Sequence, residues 1–315
     1  MESVRKSINL PVKGVNVSYS EAGADNKPVM IFIHGFPFNK SIWDYQLEIL
    51  GEHYHVIAYD VRGHGNSVGG DQAFSIELFA EDLIAFMDAL HIDHAVFCGH
   101  SMGGYIALNA IEKYPTRFEA LVLVDTQSKS DNGEAKEKRM KAIELIKSHG
   151  VEDYAEQSVK NLFAYISFSS KREEIAAVKD LIINTPVDTL EKTLHALAER
   201  KDVTNKLSDI KIPVLIIVGK KDVITPPAVA ERMHEKIEDS TLELIDYAGH
   251  LPNLENALDF NRLLKKFMDK ITAYDRQPYF ERVNHGLNNP NVLEMVATKI
   301  NFHFQRWASP FKKFA

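Results

Sequence analysis

Residues 95–114 read AVFCGHSMGGYIALNAIEKY. The first four residues are an apolar run that is typical of a buried strand, and residues 105–114 have the amphipathic spacing of a helix. Between them, Gly99, Ser101 and Gly103 form the pattern Gly-x-Ser-x-Gly. A serine on a sharp turn from strand to helix needs small neighbours, and its hydroxyl then lies at a helix N-terminus that favours negative charge. The stretch therefore predicts a nucleophilic serine on an α/β scaffold.

The rest of the chain repeats this alternation of short apolar runs and amphipathic stretches. Near-continuous apolar runs, typical of strands that helices cover on both faces, lie at residues 29–33, 55–59, 95–98, 120–124, 214–218 and 241–245. Helical spacing is found at residues 75–90, 102–114, 227–237 and 252–271. Two alternating runs within residues 7–21 predict a hairpin. We therefore expect an α/β protein with a mostly parallel, eight-stranded sheet and helices on both of its faces.

One interval interrupts this alternation. Between Thr126 and Leu207 there is no strand-like run, and helical segments lie at residues 134–148, 152–163, 171–183 and 189–200. A helical insertion between strands 6 and 7 would lie at the carboxyl edge of the sheet, where open α/β sheets bind ligands. We predict a lid over residues 127–207 and a core formed by residues 1–126 and 208–272. A helical subdomain that only packs on the core is the alternative.

Residues 273–315 extend beyond the last helix of that core. The segment carries many aromatic residues, and from Asp275 onward it has six basic against three acidic residues. Apolar residues recur at helical spacing, at Val292, Val296, Ile300, Phe304, Trp307 and Phe311. We expect an amphipathic helix whose apolar face packs on the parent domain. Contact with a partner, with a second copy of the chain or with a membrane surface is the alternative.

The composition argues against several classes of function. The chain has 315 residues, of which 37 are basic and 44 acidic, so its formal net charge of -7 offers no general attraction for nucleic acid. Its single cysteine, Cys98, excludes an internal disulfide and a cysteine-based zinc cluster. No apolar stretch has the length of a signal-peptide core near the N-terminus or of a transmembrane helix elsewhere. We therefore expect a cytoplasmic protein without an integral membrane segment.

The predicted serine needs a base and an orienting acid, because serine is a weak nucleophile at neutral pH. His250 is the best-placed base among 13 histidines, since it lies between the last apolar run and the last helical stretch. Asp222 follows the run at 214–218 and is the preferred acid, because it gives the order Ser, Asp, His. Asp125, which follows the run at 120–124, is the competing candidate, although helix capping would also explain it.

The remaining part of such a site is an oxyanion hole. Phe36 follows the run at 29–33 within the sequence HGFP, so its amide can point toward Ser101 and join the amide of Met102. Three further histidines near this edge of the sheet lie beside glycines in tight turns, where structural hydrogen bonding explains them: His34, His64 and His100.

These features together resemble the α/β-hydrolase fold superfamily, in particular its small, lidded esterases, enol-lactonases and carbon–carbon bond hydrolases. The similarity covers about residues 8–272 and is carried by HGFP at 34–37, DVRGHGNS at 60–67, GHSMGG at 99–104, GKKD at 219–222 and GHLPNLE at 249–255. Serine at the nucleophile position points away from the dehalogenases and epoxide hydrolases of this fold. The resemblance also implies that Asp60, Arg62 and His64 structure a loop, and it implies nothing for residues 273–315.

The predicted activity is hydrolysis of a small or medium carboxylic ester, thioester or lactone through an acyl-enzyme, with no metal or organic cofactor. The pocket beneath the lid is expected to be apolar. Its candidate lining residues are Trp43, Phe163, Phe168 and Leu251, with Phe36, Leu162 and Tyr165 as further candidates. A carbon–carbon bond hydrolase or a perhydrolase would use the same serine, histidine and aspartate, and a small-molecule receptor with slow turnover would retain them.

Overall fold

The computed structural model describes residues 5–25 and 27–276. The strands are β1 (Arg5–Val12), β2 (Val15–Ala22), β3 (Val29–Ile33), β4 (His55–Tyr59), β5 (Ala95–His100), β6 (Phe118–Val124), β7 (Val214–Gly219) and β8 (Ser240–Ile245). They form one eight-stranded sheet in the order β1-β2-β4-β3-β5-β6-β7-β8. β2 pairs antiparallel with both β1 and β4, and the other neighbouring strands are parallel. The prediction of a mostly parallel sheet is therefore confirmed.

Helices join the successive parallel strands and follow the last of them. They are α1 (Asp44–Leu50), α2 (Ile76–Ala89), α3 (Met102–Lys113), α4 (Gly133–His149), α5 (Val151–Leu162), α6 (Ser167–Ser170), α7 (Arg172–Ile183), α8 (Val187–Ala198), α9 (Pro227–His234), α10 (Pro252–Glu255) and α11 (Ala257–Arg276). Short 3-10 helices occupy Lys40–Trp43, Pro115–Arg117 and Thr204–Asp209. The hydrophobic periodicity of the sequence does not predict α1, α6 or the 3-10 helices, because they are too short to show a clear period.

The two faces of the sheet bury different side chains, because successive residues of a strand point to opposite sides. On one face, Ile31 and Ile33 belong to a hydrophobic cluster that includes residues of α2 and α3. On the other face, Phe32 packs against Trp43 with 4.9 Å between the ring centroids, and Trp43 packs against Phe260 at 6.1 Å. Burial on both faces accounts for the continuous apolar runs of these strands.

The chain between β6 and β7 forms the helices α4 to α8, where the sequence predicts a helical insertion. Hydrogen bonds fasten the insertion to loops that follow other strands. The Thr185 hydroxyl shares its proton between the Leu181 carbonyl at 2.9 Å and the Pro37 carbonyl at 3.2 Å, and Thr189 Oγ1 donates to the Gly63 carbonyl at 2.9 Å. Because these loops follow β3 and β4, the insertion lies at the carboxyl edge of the sheet.

The last helical stretch differs from the single helix that the sequence predicts over residues 252–271. It is divided into α10 and α11 at Asn256, whose backbone angles of φ −136° and ψ 62° are not helical. The Asn256 side chain accepts a hydrogen bond from the Asp259 amide at 3.4 Å, which caps the new helix. The second helix then continues to Arg276 rather than ending near residue 271.

The chain divides into two compact units, Met1–Phe267 and Met268–Ala315. The first unit contains the sheet and the helical insertion. Of the second unit, the structure describes residues 268–276, so the amphipathic helix that is predicted further along, and its proposed contacts, lie outside the described residues. Within the described part of the chain, no helix combines the length and the apolar character needed to cross a membrane.

Candidate active site

Ser101 lies on the turn between β5 and α3 that the Gly-x-Ser-x-Gly pattern predicts. Its backbone angles, φ 50° and ψ −112°, are rarely adopted by residues other than glycine. Two hydrogen bonds hold this conformation. The Ser101 amide donates to the Val124 carbonyl at 2.9 Å, and Thr126 Oγ1 donates to the Ser101 carbonyl at 2.7 Å. The half-buried serine is therefore held in a strained conformation at the N-terminus of α3.

The glycines of this turn are required by its close approach to neighbouring backbone. A Cβ atom on Gly103 would lie 2.2 Å from the carbonyl oxygen of Ile33, and one on Gly99 would lie 2.5 Å from the carbonyl oxygen of Gly103. Both distances are well inside van der Waals contact. The spacing in the sequence therefore has a steric cause, because a side chain at either position would displace β3 or the start of α3.

The hydroxyl of Ser101 faces the imidazole of His250. Ser101 Oγ and His250 Nε2 are 2.9 Å apart, and His250 Nδ1 is 2.8 Å from Asp222 Oδ2. Because a carboxylate can only accept, Nδ1 carries the ring proton and donates it to Asp222, which leaves Nε2 to accept from the serine. The structure thus brings the predicted serine, histidine and aspartate together in one hydrogen-bonded row.

Asp222 is surrounded by hydrogen-bond donors. Oδ1 accepts from the amides of Ile224 (2.7 Å) and Thr225 (3.1 Å), and Oδ2 accepts from the Thr225 hydroxyl (2.6 Å) as well as from His250. Burial by itself raises the pKa of this carboxyl, but the charge of His250 and the bonds from His250 and Thr225 outweigh burial and hold the pKa well below its usual range. Asp222 is therefore ionised at neutral pH and can stabilise a positively charged imidazole.

Asp125, the competing acid, contacts Asp222 through its side chain, while the imidazole of His250 bonds to Asp222. Its Oδ1 accepts from the Gly219 amide at 2.9 Å. Burial raises the pKa of the Asp125 carboxyl well above its usual value, and the nearby negative charge of Asp222 raises it further. The structure therefore favours Asp222 over Asp125 as the partner of the imidazole, because Asp125 is held toward its neutral form.

Among the described residues, Asp125, Asp222 and His250 also have the grouping of a metal site, since their ligand atoms lie within 4.8 Å of one another. The separation of 2.8 Å between His250 Nδ1 and Asp222 Oδ2 is that of a direct hydrogen bond. In this arrangement the nitrogen and the carboxylate are already bonded to each other, so the grouping is explained without an ion.

The histidine loop, residues 246–251, is held from several sides. The His250 amide donates to the Leu162 carbonyl of the insertion at 2.8 Å, and His100 Nε2 donates to the His250 carbonyl at 2.6 Å. The amide of Gly249 donates to Glu255 Oε1 at 2.7 Å. Glu255 is not among the site residues predicted from the sequence, although it lies within the GHLPNLE motif that carries the resemblance.

The predicted oxyanion donors lie next to the serine. A Cβ atom on Gly35 would lie 3.1 Å from Ser101 Cβ, which shows that the turn carrying Phe36 crosses directly over the serine. Met102 is the first residue of α3 and directly follows Ser101. Within the part of the chain that the structure describes, no hydrogen bond engages the amide of Phe36 or that of Met102. Both N–H groups are therefore available to a ligand.

The residues predicted to line a substrate pocket differ in their exposure. Trp43 and Leu251 have no exposed surface, and the ring of Trp43 packs in the core under the sheet. In this conformation neither residue offers exposed surface to a cleft, and their place in a substrate pocket stays a prediction. Phe163 is 4% exposed and Phe168 is 37% exposed. Of the four, Phe168 is therefore the residue whose side chain has substantial exposed surface.

The buried histidines near this edge are structural, as the sequence predicts. His34 Nδ1 donates to the Gly35 carbonyl at 2.8 Å, and its Nε2 accepts from the Val61 amide at 2.9 Å. Burial lowers the pKa of His34 to about 4 and lowers the pKa values of His64 and His100 to about 3. All three imidazoles are therefore neutral at physiological pH, and their part is to hold backbone.

The loop after β4 is held by two buried ion pairs. Asp60 accepts from Lys40 Nζ at 2.6 Å, and Arg62 donates two hydrogen bonds to Asp82 at 2.6 and 2.7 Å. These contacts agree with the structural role that the resemblance implies for this loop.

Comparison with known sequences identifies relatives of the chain. A family model described as the alpha/beta hydrolase fold matches residues 28–257. The chain is 31% identical over 262 residues to 3-oxoadipate enol-lactonase 2 of Acinetobacter baylyi, covering 83% of this chain and 96% of the relative. It is 30% identical over 243 residues to a pimeloyl-[acyl-carrier protein] methyl ester esterase of Neisseria meningitidis, covering 76% of this chain and 93% of the relative.

Comparison with solved structures likewise finds an esterase and an enol-lactonase. A thermophilic esterase from Thermogutta terrifontis has a TM-score of 0.80 at 29% identity, covering 84% of this chain and 99% of the other. The enol-lactonase from Burkholderia xenovorans LB400 has a TM-score of 0.78 at 25% identity, covering 83% and 100% of the two chains. The range matched by the family model includes Ser101, Asp222 and His250. The chain therefore belongs to the α/β hydrolase fold family.

Proposed function

We propose that this protein is a serine hydrolase that cleaves a small or medium carboxylic ester, thioester or lactone through an acyl-enzyme. The observation that carries the proposal is the row of hydrogen bonds from Ser101 through His250 to Asp222, with distances of 2.9 and 2.8 Å. An adjacent imidazole held by a carboxylate activates serine, which is otherwise a weak nucleophile.

In the proposed mechanism, Ser101 Oγ attacks the substrate carbonyl while His250 Nε2 takes the hydroxyl proton. The positive charge that develops on the imidazole is stabilised by the ionised Asp222. As the tetrahedral intermediate collapses, Nε2 gives the proton to the leaving oxygen or sulfur, and the acyl-enzyme forms. A water molecule then gives a proton to Nε2 and attacks the acyl carbonyl. Return of this proton to Ser101 Oγ releases the acid.

The amides of Phe36 and Met102 are the proposed donors to the negatively charged oxygen. They flank Ser101 and are not engaged by other described groups. Backbone N–H groups aimed at an oxyanion need no rearrangement when charge develops, and the loss of one such donor raises the barrier by about 3 kcal/mol. The geometry therefore supports acyl transfer better than a reaction without a charged oxygen.

The proposed substrate class rests on the relatives and on the side chains near the histidine loop. The relatives named above are enol-lactonases and esterases. The insertion segment that binds His250 continues to Phe168, whose exposed ring is apolar, and Phe36 is a half-buried apolar residue beside the serine. These groups favour an uncharged, apolar acyl portion.

The helical insertion is the proposed lid of this site. It is bonded through Thr185 to the Pro37 carbonyl beside the oxyanion turn, and through Leu162 to His250. These contacts join it to both segments that flank Ser101, and this supports a lid over the serine. A lid in this position would also exclude bulk water from the acyl transfer.

The replacement Ser101→Ala tests the proposal directly. Turnover of p-nitrophenyl acetate is expected to fall by roughly 10⁴- to 10⁶-fold, because the nucleophile is lost while the binding groups remain. Ser41→Ala, which removes an exposed hydroxyl from the 3-10 helix before α1, serves as the matched control and should keep wild-type kinetics. Turnover by Ser101→Ala within tenfold of the wild type would refute the assignment.

A panel of p-nitrophenyl esters of increasing acyl length defines the substrate class. We expect the highest kcat/KM for short and medium apolar chains and a fall for long ones, together with labelling of Ser101 by a fluorophosphonate. Labelling without turnover of any ester or lactone would instead indicate a receptor that retains the serine, histidine and aspartate.

A further inference from the structure

Glu255 links the histidine loop to the insertion segment formed by residues 162–167. The residue is the last of α10 and is 7% exposed. Its Oε1 accepts from the Gly249 amide at 2.7 Å. Its Oε2 accepts from the Ala164 amide at 2.7 Å and from the Ser167 hydroxyl at 2.6 Å. Each carboxylate oxygen therefore binds a different one of the two segments.

The two segments lie backbone against backbone. A Cβ atom on Gly249 would lie 2.7 Å from the Ala164 nitrogen and 3.0 Å from the Leu162 carbonyl oxygen. The next residue, His250, donates its amide to that same carbonyl at 2.8 Å. A displacement of the insertion segment therefore displaces the backbone that carries the imidazole.

All three groups that bind Glu255 in these contacts are donors, so the residue acts here as an acceptor. Burial raises the pKa of the Glu255 carboxyl more than its hydrogen bonds lower it. Its ionised form is therefore less favourable in the folded state than it would be in water. We expect its main contribution to be to the geometry of the loop, since its ionisation does not itself add stability.

We propose that Glu255 is a positioning residue that seats the insertion on the histidine loop and thereby places the His250 imidazole between Ser101 and Asp222. The inference rests on the proposed function and adds to it a physical link between the insertion and the reacting groups. Glu255 acts through the backbone of residues 249 and 250. A misplacement of reacting groups by about 1 Å can lower turnover by about 10²-fold.

The replacement Glu255→Gln tests this link at nearly constant volume. The amide can accept through one oxygen, and its NH₂ group faces at least one N–H donor, so the two segments are expected to separate. We expect kcat for p-nitrophenyl acetate to fall by about 10- to 100-fold, with KM within about threefold of the wild type. Glu48→Gln, at an exposed position of α1, is the matched control and should keep wild-type kinetics.

Two measurements separate positioning from a purely structural role. First, kcat is divided by the concentration of sites that a fluorophosphonate labels, which corrects for unfolded protein. Second, the proton on His250 Nδ1 is followed by NMR as a low-field resonance that Asp222→Asn should abolish or move. We expect Glu255→Gln to lower kcat per labelled site and to shift or broaden this resonance. An unchanged kcat per site with an unchanged resonance would overturn the proposal.

Ser167→Ala keeps the test decisive if Glu255→Gln does not fold. It removes one of the two donors to Oε2 and leaves the carboxylate in place. We expect a fall in kcat per site of about 3- to 10-fold, and wild-type kinetics for this variant would count against the link. If the wild type itself neither turns over esters nor is labelled, the proposed function fails, while the resonance of the His250 proton still decides the role of Glu255.

Discussion

The ends of β6 and β7 each deliver a buried aspartate to the same edge of the sheet, with opposite outcomes. Asp222, after β7, accepts from two backbone amides, from the Thr225 hydroxyl and from His250. Asp125, after β6, accepts from the Gly219 amide and lies beside the negative charge of Asp222. The difference teaches that donors and neighbouring charges, rather than position at a strand end, determine which carboxyl can serve the imidazole.

The largest expected effect comes from Asp222→Asn. The amide cannot accept at both of its former oxygen positions or stabilise the imidazolium, so we expect kcat/KM to fall by about 10⁴-fold. Steady-state turnover of p-nitrophenyl acetate, corrected for labelled sites, measures the loss. A fall of less than tenfold would contradict the distinction between the two aspartates, because it would mean that Asp125 can replace Asp222.

A smaller effect is expected from Thr225→Val, which keeps the shape of the side chain and removes the hydroxyl that donates to Asp222 at 2.6 Å. The carboxylate keeps its bonds to the backbone amides and to His250, so we expect kcat to fall by about tenfold. The same assay, with Thr272→Val at a half-buried position of α11 as the control, measures it. An undiminished kcat would show that the backbone amides suffice to hold Asp222.

The smallest effect on activity, and the sharpest test of the pKa difference, is expected from Asp125→Asn. The amide oxygen can still accept from Gly219, so kcat should stay within about twofold of the wild type. Because burial raises the native pKa of Asp125, ionisation at a pH above about 4 costs stability that asparagine avoids. The variant should therefore melt at a higher temperature than the wild type at pH 7.5.

This stability gain should shrink as the pH falls toward about 4, since the carboxyl is then protonated in both the folded and the unfolded chain. Asp222 has the opposite sign: its lowered native pKa stabilises the fold above a pH of about 4, and this contribution is lost on further acidification. Thermal melts of Asp125→Asn and the wild type at pH 4 and pH 7.5 provide the measurement. A melting temperature for Asp125→Asn below that of the wild type at pH 7.5 would contradict the conclusion that the pKa of Asp125 is raised in the folded protein.

Most of the fold could be predicted because its signals are local. The runs at 29–33 and 55–59 coincide with β3 and β4, since a strand covered on both faces has a continuous apolar sequence. The break at Asn256 could not be predicted from an amphipathic stretch that continues through it. The capping bond to Asp259 and the backbone angles of Asn256 become visible only in three dimensions.

In the candidate site, too, the residues that lie in local motifs could be predicted, whereas the residues that line a pocket could not. Ser101 and His250 follow apolar runs in motifs of specific spacing, whereas an apolar side chain such as Trp43 has the same sequence character in a core as in a cleft. Full burial of Trp43 against Phe32 and Phe260 assigns it to the core. Exposure depends on neighbours contributed by other strands and helices, which periodicity does not reveal.

The amino-acid sequence by itself determined the α/β architecture, the helical insertion and the turn that carries Ser101, because strand and helix periods and the glycines of a tight turn act over a few residues. Only the tertiary structure decided that Asp222 rather than Asp125 binds His250, and that Glu255 joins the histidine loop to residues 162–167. Both depend on which donors and charges meet when segments far apart in the chain are packed together, and the free energies of those contacts are set by burial and distance.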